Sequence, residues 1–202
     1  MIQSDVITDI QYFGSISYIK HLMQFNLVYF NENQNYTKMS FKNRMVIGTA
    51  QGPLHLSIPI IGGRDQKIPL NEIKIAYHSP WMSQHYKSIV SNYKRSPFFE
   101  YYYDDIKELY NSQPAYLYEF LIHINEWVRK QIKGKWEISK LQPNHSNYHS
   151  DQWLPKNYDL VPNPIKYQQV FEDNIGFMPN LCILDILFCC GGKQTNKLLM
   201  TT

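Results

Sequence analysis

The chain has 202 residues, 44% of them hydrophobic and 18% charged, enough apolar material for one full globular core and too much for an intrinsically disordered chain. A net charge of +3 with the histidines neutral is too small and too scattered for an electrostatic nucleic-acid binder, and no run of about 18 apolar residues exists to span a membrane. The three cysteines, Cys182, Cys189 and Cys190, crowd one apolar stretch without a C-x-x-C pair, which argues against a disulfide framework or a zinc site and for buried reduced thiols in the cytoplasm.

Positions 1–10, MIQSDVITDI, carry two acids and no basic region ahead of an apolar core, so they do not read as a secretory leader. Over 2–10 the hydropathy alternates weakly, which predicts a first strand. Gln11-Tyr12-Phe13-Gly14 follows, and Ser15 is placed to cap a helix over 16–23. A strand, a glycine loop and a helix can offer backbone N–H groups to an anion; with one glycine, a plain turn between strand and helix is the competing explanation. Positions 25–30, FNLVYF, favour a strand. After a polar loop, 36–44 reads YTKMSFKNR, the densest group of polar binding types in the chain. Arg44 offers a planar fork to a carboxylate or phosphate, and Asn43 both a donor and an acceptor. The alternative for Arg44 is an ion pair with Asp185 that staples the core. Positions 45–49 and 54–61 predict a hairpin around Ala50-Gln51-Gly52-Pro53. The Gly62-Gly63 loop after it lacks the spacing of a P-loop, and 73–77 predicts a further strand.

Ser79-Pro80-Trp81 opens a predicted helix to about 94, with Met82, Tyr86, Ile89, Val90 and Tyr93 as its apolar stripe. His85 flanks the stripe and is the residue best suited to acid–base work near neutral pH; a structural histidine is the alternative. Helices are predicted over 98–109 and 115–132, and a short strand over 136–141. Positions 142–166 hold four prolines and many asparagines and predict an irregular loop or lid. His145 and His149 are four apart, but this composition is not helical, so they are not expected to form a metal pair. Sixteen tyrosines suit sugars, bases or partner proteins, and equally suit half-buried sheet faces.

The C-terminal run from 181 to 190 is apolar on two helical faces and broken by one acid, Asp185. Such a helix is normally buried, and its carboxylate then needs a partner. Asn180 is placed to cap it and Gly191–Gly192 to stop it.

Several of these stretches together resemble the WbqC-like protein family. F-M-P-N-L-C-I-L-D-I-L-F at 177–188 is similar to that family's F-x-P-N-L-S-I-L-D-L-L-F. Trp81, His85, Lys87, Ser88, Ile89 and Tyr93 follow its W-x-x-x-H-x-K-S-I-x-x-x-Y pattern. Gln11, Phe13 and Tyr18 match a segment resembling Q-P-x-x-x-P-x-x-x-Y-F, without either proline. Tyr36, Lys38, Asn43 and Arg44 match its polar segment. The resemblance runs from about Gln11 to Gly191 and is weakest over 142–166. It implies a bacterial protein linked to cell-surface polysaccharide synthesis, and it supplies no reaction.

The expected fold is an α/β, three-layer single domain over 1–202, with a mixed β-sheet flanked by helices and a buried C-terminal helix. Gln11, Tyr18, Tyr36, Lys38, Asn43 and Arg44 are expected to bind substrate, and His85, Lys87 and Asp185 to carry catalysis, all converging beyond the carboxyl ends of the strands. The expected activity is group transfer to an amino-sugar or nucleotide-sugar intermediate, with a sugar nucleotide or acyl donor as small-molecule substrate. The alternative is a non-catalytic carbohydrate-binding or scaffolding protein. No metal is expected, and the residues specify neither a cofactor nor an oligomeric state.

Overall fold

The computed structural model describes residues 3–37, 39–63, 67–139 and 156–201. Strand β1 (Gln3–Thr8) runs parallel to β2 (Phe25–Phe30), and β2 runs parallel to β5 (Glu137–Ser139), giving the order β1-β2-β5. Helix α1 (Ile16–Leu22) crosses from β1 to β2 and is capped by Ser15, whose side chain accepts from the Tyr18 N–H. Val6 and Val28 face each other in register and are both buried.

Strands β3 (Arg44–Thr49) and β4 (Gly52–Ser57) form a separate antiparallel hairpin. Thr49 Oγ1 donates to the Gly52 carbonyl at 2.7 Å in its turn. The parallel and antiparallel pairings expected of one mixed sheet are thus divided between two sheets. The physical reason lies on the outer edge of β3. The Gly48 N–H donates to Tyr93 Oη at 2.8 Å, and the Val46 carbonyl accepts from Cys182 N–H at 2.8 Å. These partners satisfy backbone groups that another strand would otherwise take. The predicted strand over 73–77 is likewise reduced to isolated bridges, Ile60 with Ile75 and Lys74 with Tyr116.

Helices α2 (Trp81–Tyr93), α3 (Phe99–Asn111) and α4 (Leu117–Gln131) fall where the apolar periodicity predicts them. A four-residue helix, α5 (Glu172–Ile175), follows, then α6 (Ile183–Met200). The first turns of α6, from Ile183 to Phe188, are wholly inside the core, including Asp185 at 1% exposure. Among the described residues the class is α/β, with these two sheets and six helices and no barrel.

Two local signals read from the C-terminal stretch are overridden. Gly191 does not stop the helix: its φ of 71° makes a kink, and a second leg continues to Met200. That leg docks on the end of α4, where Asn196 Nδ2 donates to the Ile132 carbonyl at 2.7 Å and Leu199 is buried. Asn180 does not cap α6. It has φ 54°, and its Oδ1 accepts from the Ser17 N–H of α1 at 2.8 Å. The starts of α1 and α6 lie side by side, with Ile16 N–H donating to Leu181 and Ile183 N–H to Gly14, so one residue's side chain serves the neighbouring helix.

A Cβ on Gly192 would overlap the backbone carbonyl of Gln131. Gly192→Ala is therefore expected to lower stability by about 2 kcal/mol, as overpacking against rigid backbone does. Thermal denaturation checks this, and an unchanged Tm would contradict the docking of the second leg.

Candidate functional site

The loop that leaves β1 is held by a buried polar seam. Asp9 and Lys42 form an ion pair at 3.0 Å with both side chains almost fully buried. Tyr18 Oη donates to the Asp9 carbonyl at 2.7 Å. Gln11 Oε1 accepts from the Ser15 N–H at 3.1 Å, and Asn125 Nδ2 donates to the Gln11 carbonyl at 2.9 Å. Gln11 and Tyr18 are both fully buried, and their hydrogen bonds anchor the loop. Lys42, Asp9 and Asn125 were not among the expected site residues. The signal for Lys42 lay in its place inside the polar segment 36–44, directly after the apolar Phe41.

This loop carries Tyr12 into contact with α2 and α3. Tyr12 Oη lies 3.0 Å from His85 Nδ1 and is hydrogen-bonded to Tyr110 Oη. His85 is 5% exposed, with the Trp81 ring edge-on at 5.1 Å. Burial pushes the imidazole down to about 4, against a backbone hydrogen bond at Ser57 that favours the protonated ring. The ring is therefore neutral at neutral pH. With the Ser57 carbonyl taking its single N–H, Nδ1 is left as acceptor; Tyr12 then donates to His85, and Tyr110 donates to Tyr12. Burial raises both tyrosines above their usual range, which keeps the chain protonated.

Tyr110 also lines a cleft of about 440 Å³, together with Tyr77, Ser79, Tyr86, Asn111 and Gln113. Among the described residues, no charged side chain lines it. Helix α2 starts at its edge with Pro80 as cap residue and no side-chain hydrogen bond to its first turn. The cleft thus presents aromatic faces, amides and hydroxyls, a set suited to a polyhydroxylated neutral ligand.

Asp185 stands in a second network. Tyr93 Oη donates to one carboxylate oxygen at 2.6 Å and Tyr167 Oη to the other at 2.7 Å. Burial raises the carboxyl to about 6, the two tyrosine hydrogen bonds opposing. Gln169 Nε2 donates to Tyr167 Oη at 3.2 Å, and Gln169 lines a groove of about 680 Å³ that also holds Lys94 and Arg95.

Arg44 does not pair with Asp185: its Nε donates to Ser57 Oγ at 3.1 Å. Asn43 Nδ2 donates to the Ile58 carbonyl at 2.8 Å and so ties the two arms of the hairpin together. Tyr36 is buried, with its N–H bonded to the Ile68 carbonyl. Lys87 is exposed while His85 is buried, because two residues along a helix are about 200° apart. Lys38, and likewise His145 and His149, lie outside the described residues. Of the expected site residues, Gln11, Tyr18 and His85 thus belong to the first network and Asp185 to the second, while Asn43, Arg44 and Tyr36 bond to Ile58, Ser57 and Ile68. Among the described residues, none of them lines the clefts of 440 and 680 Å³.

The cysteines are free thiols, with burial raising Cys182 to about 12 and Cys190 to about 11; neither is a thiolate nucleophile at neutral pH. Among the described residues no cluster of three or more His, Cys, Asp or Glu could hold a metal ion. Nor is any described helix long and apolar enough to cross a membrane.

No curated protein and no solved structure matches the chain. One family model does, over residues 11–155, which includes the β1–α1 loop, the hairpin and α2 through α4. The phrase at 177–188 lies beyond the matched span. A match over well more than half of the sequence is decisive, and the chain belongs to the WbqC-like protein family.

Proposed function

We propose that the chain is an enzyme of bacterial surface-polysaccharide synthesis, transferring a group onto a hydroxyl or amino group of a saccharide held in the tyrosine-lined cleft. Family membership supports the setting. The observation that carries the chemistry is the hydrogen-bonded chain from the cleft wall at Tyr110, through Tyr12, to the buried neutral imidazole of His85. In this reading the sugar rests on Tyr77 and Tyr86, and Asn111 and Gln113 orient its hydroxyls. As the acceptor atom attacks the donor, its proton passes to Tyr110, that of Tyr110 to Tyr12, and that of Tyr12 to His85 Nδ1. The new bond joins acceptor and transferred group, and the donor's leaving group departs with its bonding electrons. Gln11 and Tyr18 are positioning residues that hold the loop carrying Tyr12, and Arg44 steadies Ser57 behind the ring. Lys87 has no part in the relay.

The second reading, a saccharide-binding protein without turnover, is favoured by the low basicity of His85: at about 4, charging this ring in neutral solution is uphill. One experiment separates the two. Wild type and Tyr110→Phe are incubated with amino-sugar acceptors and sugar-nucleotide or acyl donors, with products followed by mass spectrometry and acceptor binding by calorimetry. Tyr110→Phe keeps the ring and removes the relay's outer hydroxyl, so turnover is expected to fall about 100-fold while binding changes little. Unchanged turnover would end the relay, and binding with no turnover on any donor would favour the binding protein.

A further inference from the structure

At the end of α3 opposite the tyrosine cleft, about 20 Å away along the helix, lies a third groove of about 610 Å³. Neither buried network reaches it. Its wall is aromatic: Tyr101 is 76% exposed and Phe98 42% exposed, and Tyr101 is braced edge-on by Tyr102 at 4.9 Å. A tyrosine this exposed on a helix buries little and contributes little to the core.

The floor and rim are cationic. Lys133, Lys193 and Lys197 line the groove, and among the described residues no acid does. The ion pairs between described residues, Lys42 with Asp9 and Arg129 with Glu126, involve none of the three. Lys193 and Lys197 are four apart on the second leg of α6 and so share one face. Lys133 comes from the end of α4 against which that leg docks. Two glycines create the arrangement. Gly191 turns the helix with its positive φ, and a Cβ there would come within 2.8 Å of the Phe98 ring; Gly192 admits the backbone of α4. The kink thereby brings Lys193 and Lys197 to the groove that Lys133, Phe98 and Tyr101 also line.

We propose that this groove binds a nucleoside diphosphate, the base against Tyr101 and Phe98 and the two phosphates on Lys133, Lys193 and Lys197. A diphosphate ester carries about three negative charges at neutral pH, which three lysines offset without an acid to repel it. The aromatic wall accepts any base, since every base has a π-face. The site stands apart from the cleft and does not depend on the transfer reaction proposed there.

The test is calorimetry on the full chain at low salt with UDP, ADP, uridine and inorganic pyrophosphate. UDP and ADP are expected to bind about tenfold more tightly than pyrophosphate, the scale of one base–aromatic stack. Tyr101→Ala should remove that advantage and leave pyrophosphate binding intact; circular dichroism confirms the fold, which this exposed side chain does not support. Lys193→Ala with Lys197→Ala should weaken UDP and pyrophosphate alike and flatten the salt dependence. Equal affinity of wild type for UDP and pyrophosphate, an unaffected Tyr101→Ala, or no binding of any diphosphate would overturn the assignment. Failure of the transfer reaction would appear instead in saccharide turnover by Tyr110→Phe.

Discussion

Replacing Lys42 with methionine is expected to lower folding stability by roughly 3–5 kcal/mol, the scale for breaking a buried ion pair by removing one partner. Lys42 and Asp9 lie 3.0 Å apart and are about as dehydrated as residues become. Methionine fills much the same volume, so little of the loss comes from packing. The loss comes from Asp9, whose buried carboxylate would lose the Lys42 ammonium, next to the main chain that Tyr18 holds through the Asp9 carbonyl. Urea denaturation of Lys42→Met, of Asp9→Asn and of the double variant tests this. The double variant should regain most of the stability, because neutralising both partners removes the buried charge that Lys42 balanced. A double variant as unstable as Lys42→Met alone would show that Lys42 acts through packing, and the ion-pair account would be wrong.

The second large effect is a pH dependence centred on Asp185. Its carboxyl is raised from 3.8 to about 6 in the folded chain. Between about pH 4 and 6 the native state holds a proton that the unfolded chain has released. Stability contributed by this group is therefore greatest below the unfolded value, falls as the pH rises through the window, and is flat above about 6. Each pKa unit corresponds to about 1.4 kcal/mol, so ionised Asp185 costs the native state about 3 kcal/mol at neutral pH. Asp185→Asn removes that ionisation. The stability of Asp185→Asn relative to wild type should rise by about 3 kcal/mol between pH 3.5 and 7, measured by chemical denaturation across the series. A difference that stays constant, or shrinks as the pH rises, would mean that the tyrosine hydrogen bonds outweigh burial. Tyr167 and Gln169 lead from Asp185 toward the groove beside Lys94 and Arg95.

Much of the secondary structure was legible. Helices α2, α3 and α4 stand within about two residues of their predicted bounds, since the repeat of Ile89 and Tyr93, or of Leu117, Phe120, Leu121 and Ile124, is a local property. Ser15 caps α1 as expected because an N-cap needs only the next turn. The burial of α6 through Phe188 was equally plain from two apolar faces. The candidate site was far less legible. His85 was found, but its partner Tyr12 is 73 residues away and Tyr110, which bonds Tyr12, is 98 residues from Tyr12, and sixteen tyrosines gave no reason to prefer these two. Lys87 was grouped with His85 through the shared family pattern, although helix geometry sends the two to opposite sides.

The sequence by itself determined the α/β class, the places of the main helices, the burial of the last one and the family. Each of these follows from patterns confined to a turn of helix, a few alternating residues or a run of matched positions. Only the tertiary structure decided which polar groups meet: Asp9 with Lys42, Asp185 with Tyr93 and Tyr167 rather than Arg44, and Asn180 with α1 rather than its own helix. It also decided that Gly191 bends a helix instead of ending it, because docking of the second leg on α4 outweighs a local stop signal. A buried polar group must find a partner, but hydrogen-bonding capacity is shared by dozens of side chains. The choice among them is made by how distant segments pack.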